Sequence, residues 1–232
     1  MTDIPRRSLA AGAGLLVGAL AGQARTQQLA AAATPKFSPK PLTFNPEKVK
    51  GLSADLLRSH YDNNYAGTVK KLNTISEILF KLNFAEAPSF TVGGLKRDEH
   101  IAYNSTILHE LYFDGIGEAP VQPSGMLAQA LSRDFGSLDR WKAEFVATAK
   151  SLAGGSGWVI LAHAPRDKRL FIHWAGDHSM APAGAVPLLA LDMYEHAYQK
   201  DYGADAAKYV DAFMQTIKWT NAERLYREAM RV

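Results

Sequence analysis

Between residues 53 and 84 apolar and aromatic side chains return every three or four positions, at Leu56, Leu57, Tyr61, Tyr65, Val69, Leu72, Ile75 and Leu79, which predicts an amphipathic helix. Ser53 and Asp55 supply a start signal. Asn63, Asn64 and Gly67 are poor helix formers, and they predict a kink or a break between two helices. A second stripe, Ile101, Ser105, Leu108, His109 and Tyr112, predicts a helix over 98–113 that Asp114-Gly-Ile-Gly terminates. The two make a helical hairpin. Residues 126–135 and 138–151 read as two more helices, parted by Gly136-Ser137. The period then changes to that of strands. Residues 157–163 and 169–174 flank the turn Pro165-Arg-Asp-Lys168 as a β-hairpin, and the apolar run ending at Leu191 supplies a third strand. Helices over 193–200 and 204–230 are expected to close the chain. The fold class is therefore α+β: an N-terminal antiparallel helical hairpin followed by a C-terminal α/β domain with a small three-stranded antiparallel sheet.

The hairpin is preceded by a segment of different character. Pro5-Arg6-Arg7-Ser-Leu leads into a Gly/Ala-rich apolar stretch to about Leu20, and Ala21-Gly-Gln-Ala24 follows before Arg25. That pattern is a twin-arginine export signal, with cleavage expected near Ala24 or among Ala30 to Ala33. The alternative is a membrane anchor, for which the stretch is short and Gly-rich. Residues 1–33 are assigned to the signal. Residues 34–41 carry three prolines, Pro35, Pro39 and Pro41, and read as an extended linker. Folded structure is expected from near Leu42, with 42–122 as the hairpin domain and 123–232 as the C-terminal domain. The mature protein is then periplasmic or secreted, with no stable membrane association once the signal is gone.

Composition narrows the chemistry. A chain of 232 residues can bury a full core, and its net charge of +3 is too small to argue for nucleic acid as a partner. Cysteine is absent, which excludes disulfides, thiolate zinc sites and cysteine nucleophiles. Any transition metal must be held by His and carboxylate, a donor set suited to Fe, Mn, Zn or Cu. Asp192 and His196 stand four residues apart, one helical turn, and read either as half of a metal site or as the acidic first turn of a helix. His60 and His109 fall within the two apolar stripes of the hairpin. Each alone reads as a core residue; taken with Asp192 and His196 on a third element they complete a set of four donors. His163 and His173 on the strands, and His100 near a helix start, fit surface or capping roles. His178, in the Gly176-Asp-His-Ser loop, is not assigned by spacing.

These residues carry a family resemblance. Leu191-Asp-Met-Tyr-Glu-His-Ala-Tyr198 resembles the Asp-x-Trp-Glu-His-Ala-Tyr signature of iron/manganese superoxide dismutases, with Tyr194 in place of Trp. The segment from Leu57 through His60 to Asn73 is similar to that family's first ligand helix. Leu108-His109-Glu-Leu-Tyr-Phe113 is similar to the second, and Gly155-Ser-Gly-Trp158 to the loop whose Trp packs over the metal. Asn221 and Tyr226 fall in a final helix of the family's kind. The resemblance implies one Fe or Mn ion per subunit, held by His60, His109, Asp192 and His196 plus a solvent molecule, and the dismutation of superoxide. It also implies a homodimer through Glu195 and Tyr198, or a tetramer. The alternative is a secreted metal-binding dimer of the same fold with little or no dismutase activity.

The chain departs from that family in the residues around the ligands. Thr68 stands where the gateway Tyr is usual, and Asn64 where the gateway His is usual; a Thr hydroxyl is smaller and an amide does not titrate. Ser105 stands where many iron enzymes carry a Gln, and His178 is expected to take over its work. Trp158 and Tyr194 complete the expected lining, while Tyr65 is expected on another face. Gly203 and Asn63 replace basic residues, which weakens steering of an anionic substrate.

Overall fold

Ser53 caps the first helix, its hydroxyl accepting the Leu56 N–H at 3.1 Å. In the computed structural model, which describes residues 34–231, helix α1 (Ala54–Ser59) passes without a break into a π-helical segment (His60–Tyr65) and then into α2 (Ala66–Lys81). The predicted kink at Asn63-Asn64 is thus a widening of the helix, with one residue more per turn. The expected export signal, residues 1–33, lies outside the described residues.

Helix α3 (Ser89–Asp114) starts well before the expected residue 98. Its first turns contain Gly93-Gly94 and bury no side chain, so no apolar stripe marks them. Helices α2 and α3 form the hairpin, with Leu72, Ile75, Leu79 and Ala102 packed at its distal end. Helices α4 (Gly125–Phe135) and α5 (Leu138–Lys150) follow as predicted. The sheet has the order β2-β1-β3 and is antiparallel throughout, with β1 Trp158–Ala164, β2 Arg169–Ala175 and β3 Val186–Asp192. Its register sets Trp158 of the central strand opposite Asp192 of β3. One large hydrophobic core runs from α1 through α3, the sheet and the C-terminal helices.

The C-terminal stretch differs from the expected pair of helices. Asp192 is the last residue of β3, and residues after it form a 3-10 turn (Glu195–Ala197) and a short helix α6 (Gln199–Tyr202). The strand persists because Met193 N–H donates to Gly157 O at 2.9 Å, and Tyr194 N–H donates to the Asp192 side chain at 2.8 Å. The predicted helix over 204–230 is two, α7 (Ala206–Phe213) and α8 (Thr220–Ala229). No helix breaker separates them. The turn is made by tertiary pairing, with Gly117 N–H on Thr216 O and Lys218 N–H on Gly115 O, both at 2.8 Å.

Residues 34–41 have no regular secondary structure, but they are not a free linker. Phe37 is bracketed by Asn73, which accepts its N–H at 2.8 Å and donates to its carbonyl at 2.9 Å. Lys40 N–H donates to the Tyr65 hydroxyl and Tyr61 donates to Lys40 O, each at 2.8 Å. An extended Pro-rich backbone has no internal hydrogen bonds, so its polar groups are open to side chains of the hairpin. Ordered structure therefore reaches at least to Phe37 rather than starting near Leu42.

Candidate metal centre

Four side chains converge where the hairpin meets the sheet: His60 at the start of the π segment, His109 near the end of α3, Asp192 at the end of β3 and His196 in the 3-10 turn. Their ligand atoms all lie within 4.8 Å of one another. Asp192 Oδ2 is the hub, with Nε2 of His60 at 3.1 Å, of His196 at 3.2 Å and of His109 at 3.7 Å. Donors about 2.1 Å from one cation stand about 3.0 Å apart at right angles and up to about 4.2 Å apart when opposite, so the separations from Asp192 Oδ2 fit a single shared ion. Asp192 and His196 come together without the helix that the four-residue spacing implied.

Protonation supports the same fit. His109 Nδ1–H donates to Ser105 O at 2.7 Å, which leaves Nε2 as a bare lone pair, buried and without a protein partner. Burial lowers the His109 pKa to about 3, helped by the neighbouring His60, and burial lowers that of His60 as well. Burial alone would raise the Asp192 pKa, but the hydrogen bonds offered by His196 and His60 prevail and hold it well below the usual carboxylate range. Three imidazoles around one carboxylate, all but His196 shut off from water, form a donor set for a cation such as Fe or Mn. Further hydrogen bonds hold both the side chain and the backbone of Asp192. Tyr194 N–H holds Oδ1, and Tyr209 donates to the Asp192 carbonyl at 2.7 Å, with the Tyr112 oxygen 3.3 Å from that of Tyr209.

Of the predicted surrounding residues, Trp158, His178 and Tyr194 pack against these side chains, and Thr68 reaches His109 only through Ser105. Trp158 meets the His109 ring edge to face at 5.2 Å, and its indole N–H donates to His178 Nδ1 at 2.8 Å. An indole can only donate, so Nδ1 is the acceptor and the neutral His178 carries its proton on Nε2. Tyr194 stacks on His178 at 4.6 Å and on His196 at 5.5 Å. Thr68 lies 3.2 Å from the Ser105 hydroxyl, which in turn lies 3.3 Å from His109 Nδ1. Asn64 sits half-buried on the π segment.

Three expectations about aromatic and imidazole side chains are corrected. Tyr65 is not on another face: its ring stacks on His109 at 6.1 Å, because the π segment turns the residue five after His60 inward. That five-residue step between buried positions is the signal by which it could have been found. His163 is neither a surface nor a capping residue. It is 1% exposed, with both ring nitrogens unpartnered and its ring against Tyr226, because the central strand is covered on both faces. His100 lies within α3 rather than at its start, and it approaches Ser179 O at 3.1 Å while His173 approaches Met180 O at 2.9 Å. Both brace the loop that carries His178.

Residues 123–225 match the family described as "Iron/manganese superoxide dismutases, C-terminal domain", and the chain belongs to the iron/manganese superoxide dismutase family. Among its relatives, the "Superoxide dismutase [Fe]" of Cupriavidus metallidurans is 55% identical over 195 residues, covering 84% of this chain and 98% of that protein. The "Superoxide dismutase [Fe]" of Pyrobaculum aerophilum is 32% identical, covering 77% of this chain and 86% of its own. The "Superoxide dismutase [Mn] 1" of Halobacterium salinarum is also 32% identical, at 77% and 88% coverage.

Proposed function

We propose that His60, His109, Asp192 and His196 are the metal ligands of this superoxide dismutase, and that the protein works as an exported homodimer. Two superoxide ions and two protons become dioxygen and hydrogen peroxide, so the centre must admit a small anion and supply protons. A bound iron or manganese ion supplies the one-electron redox chemistry. The residues around it position that ion and handle the protons.

The convergence of three imidazole Nε2 atoms on one carboxylate oxygen, with His109 Nε2 otherwise orphaned, carries the reading. Ser105 O fixes the His109 tautomer, and the Trp158 indole fixes that of His178, so each ring presents a defined nitrogen. The His178 Nε2–H, the Ser105 and Thr68 hydroxyls and the Asn64 amide take the place of the more usual gateway pair. Burial lowers the His178 pKa, which keeps it neutral near pH 7. It then serves as a hydrogen-bond donor without adding charge.

Support for export is the twin-arginine pattern Arg6-Arg7 with its following apolar stretch. Support for the homodimer is Glu195, exposed beside His196, which is itself 27% exposed, as the face where a second subunit would complete the site. Tyr198 is withdrawn from that role, because it is buried and stacks on Tyr209. The reading as a metal-binding dimer without turnover is not favoured, since a relative matched over 98% of its length is named an iron superoxide dismutase.

The deciding experiment compares the metal-loaded protein with Asp192→Ala for metal per chain and for superoxide removal. The expected result is about one Fe or Mn per wild-type chain with activity, and neither in the variant. A variant that kept its metal and activity would overturn the ligand assignment. Light scattering or sedimentation of the mature chain and of Glu195→Ala tests the dimer; a wild-type monomer sinks it.

A further inference from the structure

We propose that Met180 is a modification site for hydrogen peroxide, through which the enzyme's own product loosens the loop that carries His178. The proposal rests on the dismutase reading for the source of the oxidant. Residues 176–180 form a tight loop between β2 and β3. Its inner side is held by Trp158 on His178 Nδ1 and by Asn104 Nδ2, which donates to His178 O at 2.7 Å. Its outer side is held by sulfur. Gly176 N–H donates to Met180 Sδ at 3.1 Å, while the Met180 carbonyl is the group that His173 approaches.

This thioether is both accessible and committed to the loop. Met180 is 47% exposed, beside the equally open Trp174. Met126 and Met230 are exposed to a similar degree, but they lie on α4 and just past α8 and hold nothing at the metal centre; Met193 is fully buried. The sulfur and the Trp174 ring both lie against Gly176: a Cβ placed there would stand 3.4 Å from Sδ and 3.0 Å from the ring. His178 and Met180 line the same apolar cavity against α3, together with Ile107 and Leu108, and loss of the outer clasp is therefore felt at His178.

The chemistry needs no further reagent. The sulfur attacks the O–O bond of hydrogen peroxide, an S–O bond forms, and the departing hydroxide takes up a proton and leaves as water. Sulfur is oxidised by two electrons and peroxide is reduced to water. The sulfoxide is bulkier and more polar than the thioether it replaces, and methionine sulfoxide reductases reverse the change.

The test adds hydrogen peroxide to the metal-loaded enzyme and reads it by peptide mass spectrometry and amide hydrogen exchange, with Met180→Leu in parallel. One oxygen should be gained at Met180 alongside Met126 and Met230, with Met193 spared. Amides of residues 176–180 should then exchange faster, by up to about tenfold, the worth of one hydrogen bond. The same treatment should leave the loop of Met180→Leu unchanged. The proposal is overturned if Met180 stays thioether after Met126 and Met230 have converted, if it converts with no change in loop exchange, or if Met180→Leu loosens equally on oxidation. Failure of the dismutase reading shows separately, as absence of superoxide removal before any peroxide is added.

Discussion

Replacing Thr68 with Tyr sets a phenol beside Ser105 and tests whether proton supply can be separated from metal binding. Thr68 touches none of the four ligand atoms; it reaches His109 only through the Ser105 hydroxyl, at 3.2 Å and then 3.3 Å. Losing one hydroxyl–hydroxyl hydrogen bond costs about 0.5–1.5 kcal/mol. For a chain of this length that is a fall in melting temperature of about 1–6 °C. Metal content should stay at the wild-type value. A positioned general acid is worth about 10²–10⁴ in rate, but Ser105 and His178 already supply part of that, so the expected gain in turnover is about tenfold. The gain should fade above about pH 10, where a phenol ionises. Stopped-flow decay of superoxide from pH ~7 to ~11 reads the rate on that scale, and elemental analysis of the same samples reads the metal. If Thr68→Tyr loses its metal, position 68 is a packing site. If it keeps its metal and its rate is unchanged, protons do not enter past this residue.

Three further outcomes follow from the geometry. Trp158→Phe keeps an aromatic ring against His109 but removes the indole N–H, so His178 loses its fixed tautomer; turnover should fall with metal retained, and equal turnover would remove Trp158 from proton handling. Tyr65→Phe keeps the stack on His109 and strips the acceptor from Lys40 N–H, at a cost of about 1–3 kcal/mol measured by denaturant unfolding; a neutral result would mean that the Lys40–Tyr65 hydrogen bond contributes nothing to the fold. His163 has its pKa lowered by burial first and by the Arg133 charge second, whereas the unfolded chain takes up its proton near pH 6.5. Stability should therefore be lost as pH falls below about 6.5 towards the folded value. His163→Leu should flatten that acid limb in melting curves, and a limb parallel to wild type would clear His163 of the effect.

How much of this was legible beforehand depended on the kind of signal. The four convergent side chains could be picked out because His60 and His109 stood within apolar stripes and Asp192 and His196 stood four residues apart, a set that the family resemblance joined. The strand pair and the helices α4 and α5 had clean periods and clear turn residues. What was missed lay where tertiary contacts replaced local signals. Asp192 and His196 carry helical spacing yet sit on a strand end and a 3-10 turn, since Gly157 O claims the Met193 N–H. The first turns of α3 carry no apolar stripe, and residues 214–219 carry no breaker. Residues 34–41 read as a linker from their prolines, which say that the backbone is extended but not that Asn73, Tyr61 and Tyr65 hold it. His163 was misplaced because alternation along a strand marks an outward face only when one face meets water, and β1 has none.

The π segment has a consequence for which deletions the gene can tolerate. Counted at 100° per residue along an unbroken α-helix, Leu56, Leu57 and His60 point in one direction, and the buried Tyr65, Val69, Leu72, Ile75 and Leu79 point roughly 110° away, about one residue's worth of rotation. The widened turn absorbs that difference, so the ligand end and the packing end face the same body of the protein. The segment is in effect an insertion of one residue. Loss of any single residue from 61–64 would leave a regular helix with one phase, able to present His60 to Asp192 or to pack Leu72 and Leu79 against α3, but not both. A one-residue loss in the exposed connection at 83–86 meets no such constraint, so reading frames that delete a codon should survive there and not in the turn that follows His60.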